Sequence, residues 1–461
     1  MKVFSNILDM VGQTPMLEVT HIDTGPCRLF LKLELMNPAG SIKDRIGISM
    51  IEEAEKRGDI KPGDTIVEAT AGNTGLGLAL VAAQKGYQLI IVLPDKMSQE
   101  KIFNLRAMGA EVILTRSDVV KGHPEYYQDL GRSVAEEHGA YFINQFANPD
   151  NPLAHEQTTA PEILEQMDGD VDAIVLGAGS CGTAAGFSKY LTEHAPQVDL
   201  ILADPVGSIL ADYVNTGDLH EKGEGWLVEG IGEDFIPPIT DFSKVVKAYS
   251  ISDHESFKTA RELLRKEGLL AGSSTGTLVA AALRYCHEQT EAKRVVTLAC
   301  DTGNKYLSKL YNDFWLEDQG FIKREKHDDL RDFIGRPHDE RATITVGPTD
   351  ILTTAHNRLR NAGISQLPVM EKGELLGVLT EDAIMQFVFG KPELMNAPVK
   401  EAMQTAYIQV EKGSDLNNLV AMLHVQPYAA VVDGDNFLGL ITRSDVLNHL
   451  RLQMAQSGHP E

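Results

Sequence analysis

Short apolar runs bounded by turn or polar residues recur along the first two thirds of the chain. They fall at 29–34, 64–69, 88–94, 110–115, 172–177, 199–204 and 294–299. Longer segments with helical periodicity, such as 52–58 and 257–268, lie between several of them. This interleaving predicts an α/β fold, a mostly parallel sheet with helices on both faces.

The pattern changes near residue 320. Residues 317–341 are charged and punctuated by Gly and Pro, which predicts a linker, set at 319–340 after a first domain at 1–318. Beyond it the chain repeats itself. ISQLPVMEKGELLGVLTEDAI (364–384) and QPYAAVVDGDNFLGLITRSDVL (426–447) each read as strand, turn, strand and helix start. Each follows its own helical run, so two small β-α repeats are expected at 341–397 and 398–455. Neither copy buries both faces alone, and the two are expected to pair. A structural dimerisation module and a ligand-sensing module both remain open.

Composition narrows the function classes. A chain of 461 residues exceeds one ordinary core, so two or three domains are expected. Acidic residues outnumber basic ones 66 to 42, a formal charge of −24. That field repels phosphate backbones and argues against a nucleic-acid partner. No apolar run reaches the roughly 20 residues of a membrane helix. MKVFSNILDM (1–10) lacks the features of a signal peptide. No membrane partner and a cytoplasmic location are therefore expected. Cys27, Cys181, Cys286 and Cys300 are dispersed without metal-ligand spacing, which suits a reducing compartment and no metal site.

Four segments carry candidate chemistry. In NPAGSIKDRIG (37–47), Ser41 is placed to cap a helix whose first turn holds Lys43. The positive helix end and burial would both lower the lysine pKa, giving the neutral amine that Schiff-base chemistry needs. A solvated lysine at a helix start has the same spacing. In EATAGNTGLG (68–77), small residues let backbone approach a ligand, and Thr70, Asn73 and Thr74 add donors beside a helix N-terminus. This suits a carboxylate or phosphate, although a tight strand-to-helix turn is the plainer alternative. Gly177, Gly179 and Gly182 follow an apolar run, and Asp204 ends the next one, as in a dinucleotide fingerprint. The same loop, through Gly179, Ser180, Gly182 and Thr183, equally suits a smaller phosphate group. AGSSTGT (271–277) precedes an Ala/Leu-rich helix and is weak alone.

Together and in this order, the four segments resemble the fold-type-II pyridoxal-phosphate (PLP) family that contains cystathionine β-synthase and the cysteine synthases. The resemblance covers about residues 3–315. It implies two α/β subdomains with mostly parallel sheets, followed by a pair of small β-α regulatory repeats. By it, Lys43 is the Schiff-base lysine and Asn73 bonds the phenolic oxygen of the cofactor. Thr70, Ala71, Gly72 and Thr74 grip the substrate carboxylate with help from Gln145. Gly179, Ser180, Cys181, Gly182 and Thr183 hold the phosphate, and Ser274 bonds the pyridine nitrogen. A hydroxyl partner leaves that nitrogen essentially neutral, which favours loss of a β-substituent over transamination. Lys43 then serves as general base and acid in replacing the hydroxyl of serine by a thiol.

VEGIGEDFIP (228–237), which contains Gly230, resembles the segment lying over the active site in cystathionine β-synthases. With the C-terminal repeats, it implies L-serine and L-homocysteine as substrates and L-cystathionine and water as products. Cysteine synthesis from O-acetylserine and sulfide is the alternative within the class. A non-catalytic adenosyl-nucleotide sensor is the alternative outside it. Release of hydrogen sulfide from cysteine is implied as a side reaction, and a homodimer or higher homo-oligomer as the assembly. The catalytic motifs begin almost at the N-terminus, without the extension that holds haem in animal homologues, so no haem is expected. Glu233 and Phe146 stand where several relatives carry tyrosines, and Ala71 where serine is common. In the second repeat Gly439, Thr442 and Asp445 complete the signature of an adenosyl site. In the first, Gly377 and Thr380 are followed by Asp382, one place early, with Ala383 at the expected position. On a helix start one residue is about a 100° turn, so at most one competent adenosyl site per chain is expected.

Overall fold

The computed structural model describes residues 3–70, 72–95, 97–119, 121–219, 223 and 225–458. They form two compact units, Met1–Tyr311 and Asn312–Glu461.

The first unit contains two sheets. One is six-stranded, in the order β1 (Met16–Glu18), β2 (Arg28–Lys32), β10 (Arg294–Leu298), β7 (Ala173–Gly177), β8 (Asp199–Pro205), β9 (Val245–Ile251). All its pairings are parallel except β1 with β2. The other is four-stranded and parallel, in the order β5 (Glu111–Thr115), β4 (Gln88–Pro94), β3 (Thr65–Ala69), β6 (Tyr141–Phe142). Every apolar run of the first two thirds falls on one of these strands. Strand β9 had no such run because it lies at the sheet edge. Its apolar residues are interrupted by Lys247 and Ser250, and Val246 and Ser250 are exposed.

Two helices bring the reactive segments together. Lys43–Arg57 and Asn73–Lys85 cross in backbone contact at Gly47 and Gly77. A Cβ on Gly77 would lie 2.6 Å from the Lys43 carbonyl oxygen, and one on Gly47 would lie 2.7 Å from the Gly77 carbonyl carbon. The start of the first helix differs from a simple serine cap. Ile42 occupies the cap position, and the Ser41 hydroxyl accepts from the Lys43 N–H at 3.2 Å. The Asp44 carboxylate accepts from the Ala39 N–H at 2.6 Å and closes the turn.

Arg45 anchors this helix. Its guanidinium pairs with Glu34 through two bonds of 2.8 Å and with Glu162 through two of 2.7 Å. Lys32 adds a bond to Glu162 at 2.8 Å. Arg45 and Glu34 are almost fully buried.

In the second unit β11 (Gln366–Glu371) pairs with β12 (Glu374–Thr380), and β13 (Gln409–Glu411), β14 (Tyr428–Asp433) and β15 (Asn436–Thr442) form a three-stranded sheet. The segment expected to be a linker is only partly one. Leu330 and Ile334 lie in the core of the second repeat with Leu419, Leu423, Val431 and Ile441. The His338 N–H also donates to the Leu438 carbonyl at 2.8 Å. The first unit ends at Tyr311 rather than 318, so the helix Asp313–Asp318 goes with the second unit. Among the described residues no helix is long and apolar enough to cross a membrane, and no group of His, Cys, Asp and Glu has a metal-site arrangement.

Candidate active site

A cavity of about 310 Å³ opens in the first unit. Segments following β3, β4, β7 and β10 line it, at the carboxyl ends of parallel strands where open α/β sheets place ligands. Lys43, Thr70, Gly72, Asn73, Thr74, Gln145, Gly179, Ser180, Thr183, Gly230 and Ser274 all line it. Ala71 lies outside the described residues. Cys181 and Gly182 belong to the same loop but do not line the cavity. The Cys181 side chain is buried, and a side chain on Gly182 would overlap the Asn151 amide.

Lys43 is half-buried at the cavity wall. Loss of solvation lowers its pKa, while Cys300, Asp301 and Cys181 oppose the shift. The loop after β7 starts the helix Gly182–His194. Ser180 accepts from the Asn151 amide at 3.0 Å, and Thr183 Oγ1 lies 3.3 Å from His155 Nε2. Burial, reinforced by the charges of Lys43 and Arg45, holds the His155 pKa well below its usual range, so the ring is neutral. The loop therefore presents hydroxyls and helix-start N–H groups, an anion site in character.

In the loop after β3, Thr74 Oγ1 donates to Gln145 Oε1 at 2.7 Å, and Thr70 Oγ1 accepts from the Gly72 N–H at 3.2 Å. Beneath them, burial raises the Glu68 pKa to about 8, so this carboxyl is neutral at pH 7. Ser274 is buried in the first turn of the helix Ser273–His287, beside Cys300, whose thiol burial pushes up to about 12.

Asp204 is not aimed at the glycine loop. Its carboxylate accepts from the Ala211 N–H at 2.8 Å, and it does not line the cavity. The dinucleotide alternative thus loses its ribose partner.

Several residues of the site had no marked role in sequence. Glu229, in the roof segment, pairs with Lys101 at 2.6 Å and Lys309 at 2.8 Å. Tyr126 and Tyr127 also line the cavity. Only Glu229 sat in a motif that could have drawn attention; the lysines and tyrosines are distant in sequence and carry no spacing signal.

In the second repeat, the Thr442 N–H and Oγ1 both donate to Asp445 Oδ2, at 2.7 and 2.6 Å. A Cβ on Gly335 would lie 2.6 Å from Asp445 Oδ1, and one on Gly439 would overlap Ile334. In the first repeat Thr380 accepts from the Ala383 N–H at 3.0 Å, while exposed Asp382 accepts from the Gln386 amide at 2.7 Å.

Comparison with known proteins gives concordant matches. Residues 7–301 match the family described as "Pyridoxal-phosphate dependent enzyme", and residues 340–390 and 399–452 each match "CBS domain". The chain is 36% identical to a cystathionine beta-synthase of Dictyostelium discoideum, over 97% of this chain and 92% of that protein. A solved O-acetylserine dependent cystathionine beta-synthase from Helicobacter pylori superposes with TM-score 0.62 at 39% identity, covering 67% of this chain and 99% of that one. A hydrogen sulfide-producing enzyme from Fusobacterium nucleatum gives TM-score 0.62 at 37% identity, covering 66% of this chain and 100% of that one. With these matches and the cavity that gathers its motifs, the chain belongs to the pyridoxal-phosphate dependent enzyme family and carries two CBS domains behind the catalytic fold.

Proposed function

We propose that this chain replaces the hydroxyl of L-serine with the thiol of L-homocysteine, giving L-cystathionine and water, with pyridoxal phosphate carried on Lys43. The observation that carries this reading is the near-full-length likeness to a cystathionine beta-synthase, CBS repeats included. The residues present suit the cofactor. Ser180, Thr183 and the N–H groups at the start of Gly182–His194 would hold its phosphate, Asn73 its phenolic oxygen and Ser274 its ring nitrogen. No carboxylate occurs in residues 177–183 to repel the phosphate. When bound, the group supplies an electron sink that acidifies the α-proton of the amino acid.

The protein groups then divide the work. Thr70, Gly72, Thr74 and Gln145 orient the substrate carboxylate. Lys43, with its lowered pKa, accepts the α-proton. Once protonated it hands that proton to the departing hydroxyl, which leaves as water. Gly230 and its neighbours roof the thiol side. Hydrogen sulfide release from cysteine follows from the same groups, and the working assembly is a homodimer or higher homo-oligomer.

The decisive experiment is product analysis with serine or O-acetylserine crossed against homocysteine or sulfide. Cystathionine from serine and homocysteine is expected. Exclusive formation of cysteine from O-acetylserine and sulfide would overturn the substrate assignment.

Ser274→Asp is expected to shift the absorbance of the bound cofactor and depress β-replacement, because a carboxylate favours a protonated ring nitrogen. Ser274→Ala loses only one hydrogen bond, about 1 kcal/mol, and is expected to be milder. An Asp variant with unaltered spectrum and kinetics would remove Ser274 from the cofactor site.

For the regulatory unit we propose one adenosyl site per chain, around Gly439, Thr442 and Asp445. Burial raises the Asp445 pKa, and residues 334–336 already touch Asp445 and Gly439, so a ligand must share or displace that segment. Calorimetric titration with S-adenosylmethionine is expected to give one site, lost in Asp445→Ala and kept in Asp382→Ala. Two equal sites, or loss only in the Asp382 variant, would refute it. No heat in the wild type would leave a purely structural module.

A further inference from the structure

Behind the cavity wall lies a buried polar cluster that the proposed chemistry leaves unused. Asp301 is fully buried in the segment that follows β10. Its Oδ2 accepts from the Asn73 amide at 2.7 Å and from the Tyr306 hydroxyl at 2.7 Å. Among the described residues its Oδ1 has no hydrogen-bond partner. Gly272 closes over it, and a side chain there would overlap the carboxylate. On the other edge of the same amide, Lys305 donates to Asn73 Oδ1 at 3.0 Å. The Lys305 ammonium also donates to the carbonyls of Ala39 at 3.0 Å and Gly40 at 3.3 Å, just before the Lys43 helix. Lys305 is 3% exposed. Neither Asp301, Lys305 nor Tyr306 lines the cavity, whereas Asn73 does.

One amide is therefore held between a buried carboxylate on its nitrogen and a buried ammonium on its oxygen. Only one orientation satisfies both, because flipping the amide would set N–H against ammonium and C=O against carboxylate. In a low-dielectric setting the ammonium on the oxygen draws charge from the amide and strengthens the remaining Asn73 N–H as a donor, whereas the carboxylate on the nitrogen opposes that effect. We propose that Asp301 and Lys305 are positioning residues that act through Asn73: they fix its amide and set the electrostatic field at the phenolic oxygen of the cofactor. This rests on the reading of Asn73 as the partner of that oxygen, and goes beyond it by naming what controls the contact.

The two charges have opposite signs, and that gives a signed test. Asp301→Asn removes the anion and leaves Lys305 uncompensated, which favours the form of the bound cofactor with an anionic phenolic oxygen. Lys305→Gln removes the cation and disfavours that form. Asp301→Asn keeps side-chain size but turns one acceptor oxygen into an NH2 donor, and Lys305→Gln is shorter and offers two N–H donors where the ammonium makes three bonds. The near-ultraviolet and visible absorbance of the holoenzyme is measured at one pH, with cofactor retention after gel filtration as a second readout. The ratio of the two bands is expected to move several-fold, in opposite directions in the two variants. Shifts in the same direction accompanied by weaker retention would overturn the proposal, since that is the signature of a loosened pocket. Unchanged ratios in both variants would also overturn it. If Asp301→Asn fails to fold, a Lys305→Gln ratio that moves away from the anionic form still supports it, and an unmoved one refutes it. A wild-type protein with no cofactor band would overturn both the proposal and the reading beneath it.

Discussion

Replacing Lys43 with alanine is expected to lower β-replacement turnover by roughly 100- to 10,000-fold from loss of acid–base catalysis alone, and further through loss of the covalent anchor. In the proposed mechanism the residue is asked to do two things. It must be neutral to attach the carbonyl group of the cofactor, and it must exchange a proton between the α-carbon and the leaving hydroxyl. Burial lowers its pKa toward that neutral state. Among the described residues the other lysines near the site are otherwise engaged: Lys101 and Lys309 pair with Glu229, and Lys305 is bonded to two carbonyls and Asn73. Lys43→Arg is expected to fail as well, since a guanidinium stays charged at any working pH. Steady-state turnover with serine and homocysteine, with borohydride trapping and peptide mapping, checks both points. Wild-type turnover in Lys43→Ala, with the trapped adduct on another lysine, would refute the assignment.

The largest stability effect is expected at Arg45. Arg45→Leu strands Glu34 without its guanidinium in a fully buried position. Breaking a buried pair by removing one partner costs about 3–5 kcal/mol, a large fraction of the roughly 5–15 kcal/mol that holds a typical domain together. Since the same helix presents Lys43, cofactor retention is expected to fall in parallel. The double variant Arg45→Leu/Glu34→Leu removes the stranded charge and is expected to recover part of the loss. Urea denaturation of the single and double variants measures this, and an unchanged midpoint in Arg45→Leu would contradict it. The pH dependence has a definite sign. Burial would raise the Glu162 pKa, but bonds to Arg45 and Lys32 overcome it and hold this carboxylate at about 2. Its contribution to stability is present above the unfolded value near 4.3 and is lost as pH falls toward about 2. In Arg45→Leu this acid-sensitive part of stability is expected to shrink.

Much of the catalytic fold was legible along the chain, because a strand buried on both faces must be apolar along its length. Runs such as QLIIVLP of β4 and DAIVLG before the glycine loop therefore stand out against any background. The segments holding Lys43, Asn73, the glycine loop and Ser274 stood out for a different reason. Each lies where a strand or turn gives way to a helix start, a junction that favours Gly, Ser, Thr and Asn, while the roles of these residues were implied only by the family resemblance of the four segments together.

The groups around those motifs were not legible. Asp301 meets Asn73 across 228 residues, Glu229 meets Lys101 across 128, and Arg45 meets Glu162 across 117. Charged residues usually belong to a solvated surface, and no local pattern distinguishes the few that fold into the interior. Residues 317–341 show the same limit. Their composition is that of a linker, yet Leu330 and Ile334 enter a core, since two apolar residues suffice once a hydrophobic surface from elsewhere in the chain is present. The sequence by itself determined the α/β alternation, the repeat and the order of the reactive segments, all products of local periodicity and turn chemistry. Only the tertiary structure decided which buried charges face one another, because Coulomb and hydrogen-bond energies depend on distance in space and are blind to distance along the chain.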